Sequence, residues 1–260
     1  MKRELPTMIE CPIDHPNLPT LFDPHVPNNP ALWAVFHGRH AGRALVDDLR
    51  NPSQCVLRTE ARLTHASRQM SPDFLADAID YFRHIGHIWL IRSPGDPPAP
   101  EGYRTLPRLE FYGYVSHSPI LENYRKRIPD GYELHPIDRP LLERCEWRDD
   151  MAFYCGSLEN FLRHDLGMCL MHGDEIIVEA YASALGSSQA EIGAITHEPH
   201  RGKGFSPIAI AYLIETLEQR GYHAYWSCDV DNPASARVAR KLGFKVERPY
   251  EIWQYEPDVL

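Results

Sequence analysis

The stretch His197-Glu198-Pro199-His200-Arg201-Gly202-Lys203-Gly204-Phe205-Ser206 is where residue types and spacing most plainly offer chemistry. It follows an apolar run ending at Thr196. It precedes a run in which Ile210, Leu213, Ile214 and Leu217 share one helical face. A strand, a basic loop with glycines and a helix N-terminus together make a cradle for phosphate, because free backbone N–H groups and the positive end of the helix dipole converge there. Glycine lets the backbone come close to a pyrophosphate. Taken alone, Gly202-Lys203-Gly204 fits a plain strand-to-helix turn equally well. The continuation adds to it: Tyr222 to Cys228 (YHAYWSC) reads as a further strand, and Asn232-Pro233 opens a second helix, Ala234 to Leu242, closed by Gly243.

Other reactive combinations are weaker. His37 with His40, and His84 with His87, form two His-x-x-His pairs, but Gly38 and Gly86 interrupt them and the glutamate and i,i+4 spacing of a zinc protease are missing, so no metal is expected. Gly156-Ser157-Leu158 lacks the Gly-x-Ser-x-Gly elbow of a serine hydrolase, and Ser157 serves better as a helix cap. Glu198-Pro199-His200 and Asp229-Val230-Asp231 read as turn and cap residues. The six cysteines (Cys11, Cys55, Cys145, Cys155, Cys169, Cys228) have no CxxC spacing and read as reduced structural thiols.

These groups need a scaffold, and the pattern supplies one. Tyr132 to Pro136 is a short strand, Asp138-Arg139-Pro140 starts a helix, and Ser157 caps another with Leu158, Phe161 and Leu162 on one face. Met168 to Met171, Glu175 to Ala184 and Ala190 to Thr196 read as an antiparallel meander turning at His172-Gly173-Asp174 and Gly186-Ser187-Ser188-Gln189. Upstream, Gln54 to Thr59 and Ile88 to Arg92 read as strands around a helix capped at Ser71-Pro72 that carries Phe74, Leu75, Ile79 and Phe82. Prolines 6, 12, 16, 19, 24, 27 and 30 predict an irregular arm over residues 1–30. Ser93 to Gly102 is a proline-rich loop, and the polar run ending in Pro129-Asp130-Gly131 marks a boundary. The expected division is an arm over 1–30, an N-terminal domain over 31–123 and a second domain over 124–260. No fixed-period repeat is visible.

Composition narrows the function. The chain has 260 residues, 43% hydrophobic and 24% charged, which is a folded globular mix. A net charge of −9 gives no basic field for a nucleic-acid backbone. No apolar run reaches membrane-spanning length, and the opening MKRELPTMIECPIDHP has no apolar stretch of a signal peptide, so a cytoplasmic protein with no membrane partner is expected.

HEPHRGKGFS followed by DNPASARVARKLGFK resembles the acyl-CoA-binding core of the GNAT N-acetyltransferase superfamily, whose signature is Gln/Arg-x-x-Gly-x-Gly/Ala with a downstream Asn-x-x-Ser/Ala helix ending in Leu-Gly-Phe. Within it, GSLENFL, EIGAITHE, YWSCD and LWAVFHGRHAGRALVDD are similar to the zwittermicin-resistance type of acetyltransferase. The resemblance is strong over the C-terminal half and loose over the N-terminal half. It implies a mixed-sheet α/β fold of two tandem GNAT-like domains, the N-terminal one degenerate and without an Arg-x-x-Gly-x-Gly loop. It also implies acetyl-CoA as cosubstrate and a small-molecule amine as acceptor, an amine-bearing antibiotic among the candidates, in a monomer or homodimer. A non-catalytic acyl-CoA sensor is the alternative.

Carried over position by position, Arg201 is the Gln/Arg position and Gly204 the central glycine, with Gly202, Lys203 and Phe205 in the same loop. Ser206 stands where the family prefers Gly or Ala, a departure that bears on pyrophosphate affinity. Ile195 and Thr196 match residues whose backbone pairs with the pantetheine arm, and Asn232 and Ser235 match those that hydrogen-bond it from the other side. Glu191 occupies about the place of a general base acting through water, its other reading being a solvated strand glutamate. The backbone N–H of Thr196 or its neighbour would be the oxyanion donor. The family's thiolate-protonating tyrosine is replaced by Ala239, leaving Cys228, Tyr181, Tyr250 or solvent. In the N-terminal half, Trp33, His37 and Arg39 read either as core and turn residues or as part of an acceptor wall.

Overall fold

A computed structural model describes residues 8–93, 95–96, 100–164 and 167–257. Pro6 of the first proline cluster, Pro94 and residues 97–99 of the second, and the opening residues 1–7 lie outside the described residues. Contacts divide the chain into two units, one running to Arg108 and resuming at Pro249, the other spanning Leu109–Arg248.

The first unit begins with β1 (Ile9–Cys11), α1 (Leu18–Leu21), α2 (Asn29–Phe36), β2 (Gly42–Val46), β3 (Cys55–Thr59), β4 (Leu63–Ala66), α3 (Pro72–Arg83) and β5 (Ile88–Arg92). The chain continues through β6 (Arg104–Tyr112), α4 (Pro119–Arg125), β7 (Tyr132–Pro136), α5 (Arg139–Leu142), α6 (Arg148–Tyr154), α7 (Leu158–Arg163), β8 (Gly167–His172), β9 (Glu175–Gly186) and β10 (Gln189–Thr196). A 3₁₀ turn at Glu198–His200 leads to α8 (Ser206–Gln219), β11 (His223–Asp229), α9 (Pro233–Lys241) and β12 (Val246–Tyr255). This is the mixed α/β architecture expected.

In the first unit the strand order is β1-β2-β3-β4-β5-β12. β1 to β4 pair antiparallel in succession, and β5 returns parallel to β4, with Leu63 beside Trp89. One core lies under α1 and α2 (Leu18, Phe22, Leu32, Val35, Cys55, Leu57) and another under α3 (Phe74, Ile79, Phe82, Ile88, Leu90, Tyr255). The irregular arm expected over 1–30 needs correction. Ile9–Cys11 pairs with Ala44–Val46, and Leu18 and Phe22 are buried, because prolines tolerated at an edge strand and at helix starts leave apolar residues free to pack.

The second unit has the order β6-β11-β10-β9-β8-β7. β7 to β10 pair antiparallel, as the meander predicts, and β11 lies parallel to β10. Ser187 and Ser188 take the left-handed conformation (φ 51° and 58°), which is the requirement of a two-residue hairpin turn. α8 packs across this sheet with Ile210, Ala211, Leu213, Ile214 and Leu217 buried, each large apolar side chain contributing roughly 1.5–3 kcal/mol. It ends at Gly221 (φ +81°), where the Tyr222 N–H donates back to the Leu217 carbonyl.

The structural division differs from the boundary expected at 123/124. α4 packs on α8, which places residues from Leu109 onward in the second unit. Residues 251–255 of β12 pair antiparallel with β5, which returns the C-terminal segment to the first. Pro107 and Pro249 fall inside β6 and β12, and a proline within an otherwise strand-like run hides it from periodicity.

Candidate functional site

β10 and β11 are paired only over Gln189–Glu191 and His223–Tyr225. Opposite Glu191 and Ile192 the pairing of β9 skips Ser183, a bulge in β9 that raises the local twist. Beyond it Ile192 to Thr196 keep their bonds to β9 and no longer pair with β11, so the two parallel strands diverge. In the gap and at its mouth lies a cleft of ≈ 710 Å³.

Ile195, Thr196, Arg201, Gly202, Gly204, Phe205, Ser206, Asn232 and Ser235 all line this cleft. Residues from three separate stretches of sequence thus converge. Lys203 lies in the same loop but is exposed and not among the lining residues. The loop is shaped by Gly202 (φ +78°) and Gly204 (φ +83°), conformations that favour glycine, and Arg201 Nε donates to the Thr196 carbonyl at 3.0 Å, tying the loop to the strand end. Phe205 at the start of α8 supplies no side-chain cap and the first turn carries no acidic residue, so the positive end of a 14-residue helix faces the cleft. This arrangement fits a phosphate-bearing cosubstrate.

On the opposite wall, Asn232 Oδ1 accepts from Ser235 N at 3.1 Å, and Ser235 Oγ accepts from Trp226 Nε1 at 3.0 Å. The Asn232 oxygen therefore serves as the cap of α9, and its neighbour orients an indole that also lines the cleft. Arg237 and Lys241, four residues apart on α9, line it too. Their spacing puts them on one helical face, a signal present in ARVARK that motif matching alone passes over. His200 and Trp147 complete features the motif does not carry. His200 Nε2 lies 2.8 Å from Glu175 Oε1, and this hydrogen bond holds the Glu175 carboxyl below its usual range.

Glu191 is not a lining residue. It sits half-buried at the last paired position before the strands part, and its Oε1 accepts from Ser227 Oγ at 2.6 Å. On the neighbouring strand, Tyr181 of β9 faces Gly193, where an added Cβ would stand 3.0 Å from the tyrosine ring. Tyr181 is 2% exposed, and burial lifts its hydroxyl well above the ordinary tyrosine range, so it stays protonated at neutral pH. Cys228 is buried on β11. Tyr250 belongs to the first unit, where its hydroxyl donates to Asn28 Oδ1 at 2.7 Å and accepts from Arg108 Nε at 3.2 Å. Ala239 is fully buried in the core of the second unit. Trp33 packs edge-on against Phe36, and His37 and Arg39 follow in the turn after α2, all within the first unit. Among the described residues no group of three or more His, Cys, Asp or Glu side chains is placed to hold a metal ion, and no helix is long and apolar enough to cross a membrane.

Residues 100–253 match the pattern of the GNAT acetyltransferase family. Over 140 residues the chain is 28% identical to an uncharacterized N-acetyltransferase of Bacillus subtilis, YdfB; the match covers 53% of this chain and 54% of that one, so it spans about half the length of this curated relative. The fold is similar to that of a GCN5-related N-acetyltransferase-like protein from Streptococcus suis (23% identity, TM-score 0.65, covering 92% of this chain and 97% of that one). It is also similar to a tandem GNAT protein from the clavulanic acid biosynthesis pathway (13% identity, TM-score 0.62, covering 97% and 99%).

Proposed function

The chain belongs to the GNAT acetyltransferase family, and on that premise we propose that it moves an acetyl group from acetyl-CoA to a primary amine of a small molecule. The observation that carries this reading is the convergence of Ile195, Thr196, the Arg201–Ser206 loop, Asn232 and Ser235 on one cleft between diverging strands. Acetyl-CoA supplies the activated acetyl thioester.

In this reading the uncapped start of α8 and the amides of the Gly202–Ser206 loop hold the pyrophosphate, with Arg201, Arg237 and Lys241 adding positive charge along the rim. Ser206 keeps its backbone N–H for this role although its side chain departs from the family's Gly or Ala. The edge of β10 freed beyond Glu191 offers N–H and C=O groups to the pantetheine arm, as a sheet edge does to an added strand. Glu191, held by Ser227, takes the amine's proton through water. Ala239 leaves the family's tyrosine position without a proton donor, and Tyr181 or Cys228, both buried in the second unit, or solvent returns a proton to the departing thiolate.

The acceptor is a cationic small molecule, with an amine-bearing antibiotic as the finer candidate, and the net charge of −9 is compatible with it. Ala239 favours a second reading, a domain that binds acyl-CoA without turnover. Mass spectrometry of amine panels incubated with the protein and acetyl-CoA separates the two. An acetylated product sustains the transferase reading, whereas bound acetyl-CoA with no product and no CoA release across the panel overturns it in favour of a sensor.

A further inference from the structure

One buried carboxylate in the second unit takes no part in the motif. Glu179, on β9 opposite Ile195, is 0% exposed. A buried carboxylate is costly unless donors surround it, and here three do: the backbone N–H groups of Glu146 (2.6 Å) and Trp147 (3.0 Å), and His197 Nε2 (2.7 Å). Two of these donors lie together just before α6, and the third opens the glycine-bearing loop that lines the cleft. Trp147 lines it, and α6, which Trp147 opens, has no side-chain cap of its own. Glu179 accepts instead from the N–H groups of the N-cap residue and the residue before it, which sets its carboxylate beside the positive end of the helix. His197 is the first residue of the glycine-bearing loop, and its own N–H donates to the Ile177 carbonyl at 3.0 Å.

We propose that Glu179 is a positioning residue that locks Trp147 and the root of the phosphate loop to one point, so that both walls of the acetyl-CoA cleft are set before ligand arrives. The inference rests on the acetyl-CoA reading above. It follows from geometry: with Ile195 lining the cleft directly across the β9–β10 ladder, the carboxylate lies behind the strand that would face the pantetheine arm. Release of His197 frees the loop root while Trp147 remains tied, and neutralising Glu179 loosens both. A residue serving only the fold would weaken stability without coupling the two walls.

The test is calorimetric titration of acetyl-CoA into the full-length wild type, His197→Gln, Glu179→Gln and the double variant, with amide exchange at Glu146 and Trp147 followed in the unliganded proteins. His197→Gln is expected to fold and to bind about tenfold more weakly, the effect of one charge-assisted hydrogen bond. Glu179→Gln should weaken binding by at least as much and speed exchange at both amides. Adding His197→Gln to it should cost less than about threefold more, since partners in one network are non-additive. Independent losses that multiply, or unchanged affinity in either folded single variant, overturn the proposal. If Glu179→Gln does not fold, His197→Gln alone decides. Wild-type protein that binds no acetyl-CoA overturns the functional reading and this inference with it, whereas wild-type binding with equally tight variants overturns this inference alone.

Discussion

In the first unit β4 passes to α3 through residues 67–71, and in the second β10 passes to α8 through residues 197–205. Both crossovers join parallel neighbouring strands, and both follow three strands paired antiparallel in succession. The polar groups of the short loop are already engaged within the first unit. Ser67 Oγ accepts from Cys55 N and donates to the Gln69 carbonyl, Arg68 N donates to the Leu21 carbonyl, and Ser71 caps α3 by accepting from Phe74 N. Asp73 then puts a carboxylate in the first turn of α3. The longer loop has two glycines in the left-handed region, and the helix behind it has neither cap nor acid. One topology thus gives a helix end that is already neutralised and another that is left to attract an anion. What separates them is local hydrogen bonding and charge.

The most damaging way to break this contrast is to give α8 what α3 has. Gly204→Asp places a side chain at φ +83° and a carboxylate against phosphate charge, so acetyl-CoA affinity should fall by about 10³-fold or more while the fold survives. Calorimetry on the wild type should give one acetyl-CoA per chain, and two equivalents would show that the capped loop of the first unit binds after all. Next in size is the proton acceptor. Glu191→Gln should slow turnover by about 10²-fold with cofactor affinity unchanged, and an unaltered rate across the neutral range would reduce Glu191 to a partner of Ser227.

The first unit carries its own polar oddity in place of a loop site. His65 of β4 is fully buried, neither ring nitrogen has a hydrogen-bond partner, and burial lowers its pKa from 6.5 to about 3. Between those values the unfolded chain binds a proton that the folded unit does not, so stability is complete above pH 6.5 and falls as pH drops below it. The loss by pH 5 should be about 2 kcal/mol, and His65→Leu should remove it. Urea melts at pH 7.5 and 5 measure this, and an equal slope in wild type and variant would refute it. The smallest effect belongs to the cap. Ser71→Ala should cost about 1 kcal/mol in stability and leave acetyl-CoA binding untouched, since α3 contributes no residue to the candidate cleft.

How much could be read in advance follows the same division. Arg201, Gly202, Gly204 and Ser206 sit within one short stretch, so a strand, a loop and a helix start are recognisable together. The caps Ser71, Asn232 and Ser157 each accept from an N–H three residues on, as their positions before apolar runs imply. Glu179 was not visible in this way, because its donors lie 33, 32 and 18 residues away and a lone glutamate in an apolar strand carries no pattern. β1, β6 and β12 were hidden by prolines 12, 107 and 249, at or inside their ends.

The sequence by itself determined the elements whose causes are local: helix faces by apolar spacing, helix starts by Ser, Asn and Pro, the hairpin turns, and the phosphate loop with its glycines. The tertiary structure alone decided that β10 parts from β11 after Glu191, that Trp147, Arg237 and Lys241 join the cleft, and that residues 251–255 complete the first unit while Leu109–Arg248 form the second. The physical reason is range. Propensity, capping and turn chemistry act over about four residues, whereas strand partners, a buried carboxylate's donors and the walls of a cleft are chosen by packing between segments far apart in the chain.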